Sequence, residues 1–286
     1  MAQKKFQELN LANAFLFAAA MSDSVFCRRV LEILLGRKVE RVTVSTEHSM
    51  LFSSDYRSIR LDVYATDAEG TQFNVEMQGE NKGDLPKRSR FHQAEMDALG
   101  LWPGENFNEL EPNYVIFICC FDPFGEGLYR YTFSNKCTEN GMELGDETRK
   151  VFVSTKGTNV NEVPSVLVHF LQYVENSTDE CVEELGDDVV RLLHERVKRI
   201  KESREWERRY MRFEELLRDK FKEGREEGRE EGREEGRESG LREGCDLERT
   251  RMLTLIAKMT ESGEVDKLSM LSEESFLDEM YRKYNL

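Results

Sequence analysis

The run Asn113-Tyr-Val-Ile-Phe-Ile-Cys-Cys-Phe121 limits what this chain can become more than any other stretch. Its apolar positions do not alternate with polar ones. Its length and β-branched content predict a strand, and one covered on both faces. Such a strand belongs in the middle of a sheet with helices packed on either side, so the chain reads as α/β. Asp122-Pro-Phe-Gly125 closes the run, with Asp122 as a turn-former. At 286 residues and 39% hydrophobic content, the chain can build one sizeable α/β domain plus an appendage.

Upstream, Arg60 to Gln78 reads as a β-hairpin. Two apolar-alternating runs flank the turn Asp67-Ala-Glu-Gly70. Leu61, Val63 and Ala65 share one face of the first strand, and Asp62 and Tyr64 the other. Phe73, Val75 and Met77 share one face of the second strand, and Asn74, Glu76 and Gln78 the opposite one. Pairing about the turn brings Asp62 within about one position of Glu76. Two carboxylates on neighbouring strands repel, and one of them tends to keep its proton. A hard divalent cation reverses the sign of that interaction, because it binds carboxylate oxygens. The plain alternative is an amphipathic hairpin whose exposed face happens to be acidic. Gln78, a third polar group on the face of Glu76, shifts the weight toward a site.

Around this hairpin, Leu9 to Leu35 reads as helical. Ser22-Asp23 caps a second helix from Ser24 to Leu35, and Gly36 stops it. Lys38 to Thr46 alternates like a strand. Pro86 suits the first turn of a helix from about Leu85 to Leu99. That helix carries Lys87, Arg88 and Arg90 early, where cations oppose the helix dipole. A phosphate backbone is one reason for them, and a solvated face the other. Leu128 to Phe133 and Lys150 to Ser154 predict strands. Glu162 to Val174 and Asp179 to His194 predict helices. Glu195 to Cys245 reads as one long charged helix ending in a period-four repeat, with Gly224, Gly228, Gly232, Gly236, Gly240 and Gly244. Pairs three apart, such as Glu226–Arg229 and Glu230–Arg233, offset part of the glycine cost. The glycine stripe admits either close approach by another helix, hence a homo-oligomer, or a partly melted linker. Leu253 to Leu286 regains apolar spacing in short helices. The expected divisions are therefore 1–194, 195–246 and 247–286.

The net charge of −15 argues against general nucleic-acid affinity but not against a local basic groove. Phe15 to Ala20 is too short for a signal peptide or a membrane span, so a cytoplasmic chain with no membrane partner is expected. Six cysteines without Cys-x-x-Cys spacing read as reduced, and four scattered histidines offer no His/Cys metal site.

Arg60-Leu-Asp62-Val with Asn74-Val-Glu76-Met-Gln78 resembles the Asp…Glu-x-Lys signature of the PD-(D/E)XK nucleases. More narrowly it resembles the branch described as PD-(D/E)XK family transposase or recombination-promoting nuclease. Arg88-Ser-Arg90-Phe-His-Gln93 with Asp97, the strand ending Asp122-Pro-Phe-Gly125, Arg130-Tyr-Thr-Phe133 and the Glu-Gly-Arg-Glu repeat strengthen the likeness. It covers roughly residues 10 to 245. It implies a restriction-endonuclease-like core, a central mixed sheet flanked by helices, with the charged helix and a small helical tail appended. It further implies a metal-dependent DNA endonuclease. Mg2+ or Mn2+ would be held by Asp62, Glu76 and the Met77 backbone carbonyl, with Glu32 from a leading helix as a weaker candidate. Gln78 and Gln93 would orient the reaction, and Lys87, Arg88 and Arg90 would meet DNA. Gln78 stands where the signature has lysine. It is neutral, so Lys82 or Lys87 is left to supply positive charge. The alternative is a weak or inactive nuclease fold serving as a DNA-binding or assembly module. A transposase of the three-carboxylate kind fits less well, since no third well-placed strand carboxylate is found.

Overall fold

The computed structural model describes residues 5–45 and 63–286. Strands β1 (Val42–Ser45), β2 (Val63–Asp67) and β3 (Gln72–Gln78) form an antiparallel meander. Strand β4 (Asn113–Cys119) runs parallel to β3, and β6 (Thr148–Ser154) parallel to β4. Strand β5 (Arg130–Phe133) closes the edge antiparallel to β6, giving the order β1-β2-β3-β4-β6-β5. The turn between β2 and β3 holds Gly70 at φ 90°, a conformation that favours glycine. Asp67 Oδ1 accepts from the Glu69 and Thr71 amides and so fixes that turn.

Strand β4 is covered on both faces, as its unbroken apolar run requires, with Val115 through Cys119 fully buried. On one face Ile116 and Ile118 join Phe73, Val75, Met77, Val151 and Val153 in the main core. Helices α1 (Ala14–Met21), α2 (Ser24–Leu35), α4 (Ser165–Glu175) and α6 (Asp188–Glu202) contribute to that core. On the other face Val115, Phe117, Cys119 and Phe152 meet Leu85 and Met96 of α3 (Leu85–Gly100). Asp23 caps α2 by accepting from the Val25 and Phe26 amides, and Gly36 ends it at φ 69°.

Two stretches depart from the sequence expectation. Asp179 to His194 is not one helix: α5 (Asp179–Leu185) ends at Gly186 in the left-handed region, and Asp187 then caps α6. The charged stretch after Glu195 is also broken. Helix α6 ends at Glu202, Ser203 is extended, and α7 (Arg204–Glu261) then continues unbroken through all six glycines. The ion pairs on α7 among the described residues are Arg209–Glu205, Lys220–Glu223 and Arg251–Glu248. The expected Glu226–Arg229 and Glu230–Arg233 pairs are not among them.

The chain divides into two compact units, 1–214 and 215–286. In the first, the start of α7 belongs to the core: Tyr210 and Phe213 are buried, with ring centroids 5.3 Å from Phe6 and 5.2 Å from Phe15 respectively. In the second, Leu255 and Met259 of α7 pack with Met280 and Tyr281 of α8 (Glu274–Tyr284) in a small core of their own. Among the described residues no helix is long and apolar enough to cross a membrane.

Candidate active site

Strand alternation turns Asn74, Glu76 and Gln78 toward the sheet face that carries α3, while their neighbours Val75 and Met77 enter the main core. Glu76 is the centre of this row, its side chain only 12% exposed. A carboxylate so far removed from water needs compensation, and it receives it from both elements. Arg88 on α3 donates from Nη2 to Glu76 Oε1 and forms an ion pair with it. Gln78 donates Nε2 to the same oxygen at 2.7 Å and, more weakly, to the Met77 carbonyl at 3.3 Å. The Gln78 amide is held the right way round because its Oε1 accepts from Arg88 Nη1 at 3.1 Å. The guanidinium also lies 5.6 Å from the Phe117 ring centroid.

One turn beyond Arg88, His92 is buried with Nε2 3.5 Å from Glu76 Oε2, while its Nδ1 faces Glu95 Oε2 at 3.2 Å. His92 is not among the site residues expected from the sequence. Its signal was the four-residue spacing from Arg88, which puts both on one face of α3. Asn74, fully buried, was likewise left without a role. Neither of its amide atoms, nor Glu76 Oε2, has a hydrogen-bond partner among the described residues. Buried polar atoms left so cost about 1–3 kcal/mol each. Their clustering on one strand face marks a place built to receive a polar ligand or water.

The other expected residues divide as follows. Asp62 lies outside the described residues. Glu32 sits on α2, part of the main core on the opposite sheet face, where its carboxylate takes Arg28 at 3.1 Å and Arg29 at 3.0 Å. Gln93 is buried but turned to β4: it donates to Asn113 Oδ1 at 2.9 Å, and Asn113 donates in turn to Asp97 at 2.6 Å. Burial raises the Asp97 pKa, against the lowering effect of that Asn113 hydrogen bond. Lys87 and Arg90 are exposed on the first turns of α3 and make no ion pair among the described residues. Cys119 lies on the Glu76 face, but burial pushes its thiol up to about 12, so it is a core residue and not a nucleophile.

Glu76 and the Met77 carbonyl offer oxygen only, the donor chemistry a hard divalent cation takes. Glu76 Oε2, which accepts no hydrogen bond among the described residues, fits that group. Among the described residues no three His, Cys, Asp or Glu side chains gather into a metal-binding cluster, so a site here needs a donor beyond those residues.

The mixed sheet, helices on both faces and a polar row centred on Glu76, on the strand next to the central one, define a restriction-endonuclease-like core. The model of the PD-(D/E)XK nuclease family transposase matches residues 15–225, and the chain belongs to that family. Membership gives it a nuclease- or transposase-type function. Neither a curated protein nor a solved structure matches the chain.

Proposed function

We propose that this protein is a Mg2+- or Mn2+-dependent endodeoxyribonuclease of the recombination-promoting type. The observation that carries the reading is the environment of Glu76: a largely buried carboxylate beside the Met77 carbonyl, with one oxygen that accepts no hydrogen bond among the described residues and has His92 Nε2 near it, at 3.5 Å. Asp62 is the second acidic ligand in this proposal. It directly precedes Val63, whose antiparallel partner Val75 directly precedes Glu76. The proposal requires the ladder to continue by one step, which would set the two acids opposite each other on one face. Glu32, committed to Arg28 and Arg29, is left out of the ligand set.

A bound divalent ion supplies polarisation of the scissile phosphate and a lowered pKa for the attacking water. The chain's own groups do the rest. Gln78 orients water by hydrogen bonding, since a neutral amide cannot accept a proton near pH 7. Gln93 fixes α3 against β4 and so holds the helix that faces Glu76. Lys87 and Arg90 take the DNA backbone, and Lys82 or Lys87 supplies the positive charge that the signature lysine would bring. Because the chain as a whole is acidic, its DNA affinity rests on these few contacts and should fall with salt with a slope that reports their small number. A cytoplasmic location with six free cysteines, and self-association along α7, go with this reading.

Nicking of supercoiled plasmid by the purified full chain tests it. Cleavage should require Mg2+ or Mn2+ and drop to background in Asp62→Ala and in Glu76→Ala. Cleavage that survives both substitutions, or that runs equally well in excess chelator, ends the proposal. Metal-independent DNA binding with no cleavage would instead favour a non-catalytic binding module.

A further inference from the structure

We infer that Arg88 is an internal counter-ion that competes with the divalent cation for Glu76, and so couples metal binding to DNA binding. The inference rests on the metal-dependent reading given above. The guanidinium is fixed on Glu76 Oε1 and on Gln78 Oε1, 3.1 Å away, with Asp84 Oδ1 at 3.9 Å. Its planar fork suits two oxygens presented two residues apart on one strand face. The ion takes Glu76 Oε2 in the metal-dependent reading, and the other oxygen of the same carboxylate, Oε1, already accepts from Arg88 and Gln78, while the Met77 carbonyl accepts from Gln78.

A small hard cation such as Mg2+ sits about 2.0–2.1 Å from its carboxylate ligands. Placed on Glu76, it would meet the guanidinium at close range in a poorly hydrated place, where like charges repel strongly. One of the two cations must give way. Arg88 is the one with room to turn away: its side chain is 29% exposed, on the same early turns of α3 as the exposed Lys87 and Arg90. Turned outward, it joins them as a third cation for a phosphate backbone. The single residue thereby serves Glu76 or DNA, but not both. By linkage, whatever holds Arg88 outward tightens metal binding, and metal binding frees Arg88 for DNA.

Calorimetric titration of the full chain with Mn2+ tests this without reference to cleavage. Arg88→Met keeps a long unbranched side chain and removes the charge. It should bind Mn2+ about tenfold more tightly than the wild type, because the competing cation is gone. Arg88→Lys keeps the charge but loses the fork and should fall between the two. A short phosphorothioate duplex should tighten Mn2+ binding to the wild type and leave Arg88→Met unchanged.

Equal or weaker Mn2+ binding by Arg88→Met, with circular dichroism and cooperative unfolding like the wild type, overturns the inference. If Arg88→Met does not fold, Arg88→Lys decides: Mn2+ binding no tighter than the wild type overturns it. Glu76→Gln separates the two levels of argument. If the wild type binds Mn2+ through Glu76 and the Arg88 variants bind no better, only the counter-ion role falls. If no form of the protein binds millimolar Mn2+, the metal-dependent reading falls and takes this inference with it.

Discussion

The chemistry of the site turns on how the oxygens of Glu76 are shared. Gln78 gives one donor to Glu76 Oε1 and a weaker one to the Met77 carbonyl, and it brings no charge. Its removal therefore leaves the oxygen set intact and costs orientation only. Gln78→Ala should lower plasmid nicking about tenfold while Mn2+ affinity stays within about threefold, since outer-shell partners typically contribute 10–100-fold. Loss of Mn2+ binding together with cleavage would show that Gln78 holds the metal set and does not orient water. The shared face of Asn74, Glu76 and Gln78 was legible in the sequence, because a period of two is imposed by the strand backbone whatever surrounds it. The direction of Arg88 was not. A cation early in a helix is satisfied equally by water, by a phosphate or by a carboxylate twelve positions back, and only packing of α3 on the sheet chooses among them.

At the scale of elements, α7 poses the clearest energetic question. A Cβ added at any of its six repeat glycines meets nothing within 4 Å, so no close approach among the described residues requires them. Each nonetheless costs a helix interior about 1 kcal/mol relative to alanine. Gly228→Ala with Gly232→Ala should stabilise the helix by about 2 kcal/mol, seen as helical circular dichroism that persists to higher temperature. If a second copy approaches closely along this stripe, the same change should lower the mass measured by light scattering. An unchanged mass with raised helicity removes that role for the glycines.

Near the chain's end, Glu264 accepts from Lys267 and Lys283, each at 2.7 Å, and from Tyr284 at 2.9 Å. These contacts depress its pKa to about 2 from an ordinary 4.5. A depressed carboxyl pKa stabilises the folded form above the unfolded value and loses that effect as pH falls through the folded one. Unfolding of 215–286 should therefore be insensitive to Glu264→Gln near pH 2. The substitution should destabilise it above about pH 5, when followed by hydrogen exchange at Leu255 and Met259. The break at Gly186-Asp187 carries an ordinary stop-and-cap signal. Ser203 carries none, because charged residues on both sides make either continuation or interruption acceptable to solvent.

For the molecule as a whole, the decisive boundary lies inside a charged helix. The sequence places the end of the α/β domain at residue 194, where charge density rises. The first compact unit includes the helix as far as Glu214, where Trp206, Tyr210 and Phe213 recur at helical spacing and close over Phe6 and Phe15. Charge content reports the exposed face of a helix, whereas a buried face needs only one residue in three or four. The strand Asn113–Cys119 was readable for the opposite reason: from Val115 to Cys119 both of its faces are buried, so each of those positions carries the signal.

Two truncations follow from this difference. A chain ending at Glu214 keeps all of these aromatics and should unfold cooperatively close to the full-length midpoint. A chain ending at His194 loses them together with the fully buried Val197. Deleting even one buried aromatic side chain costs about 3–5 kcal/mol. At about 2–4 °C per kcal/mol, the shorter chain should melt at least 10 °C lower or fail to fold. Differential scanning calorimetry checks both. If 1–214 is folded and nicks plasmid like the full chain, the site is self-sufficient and 215–286 serves assembly or partners. If it is folded but silent, residues beyond 214 take part in the reaction, and the Glu76 face accounts for only part of the catalytic unit.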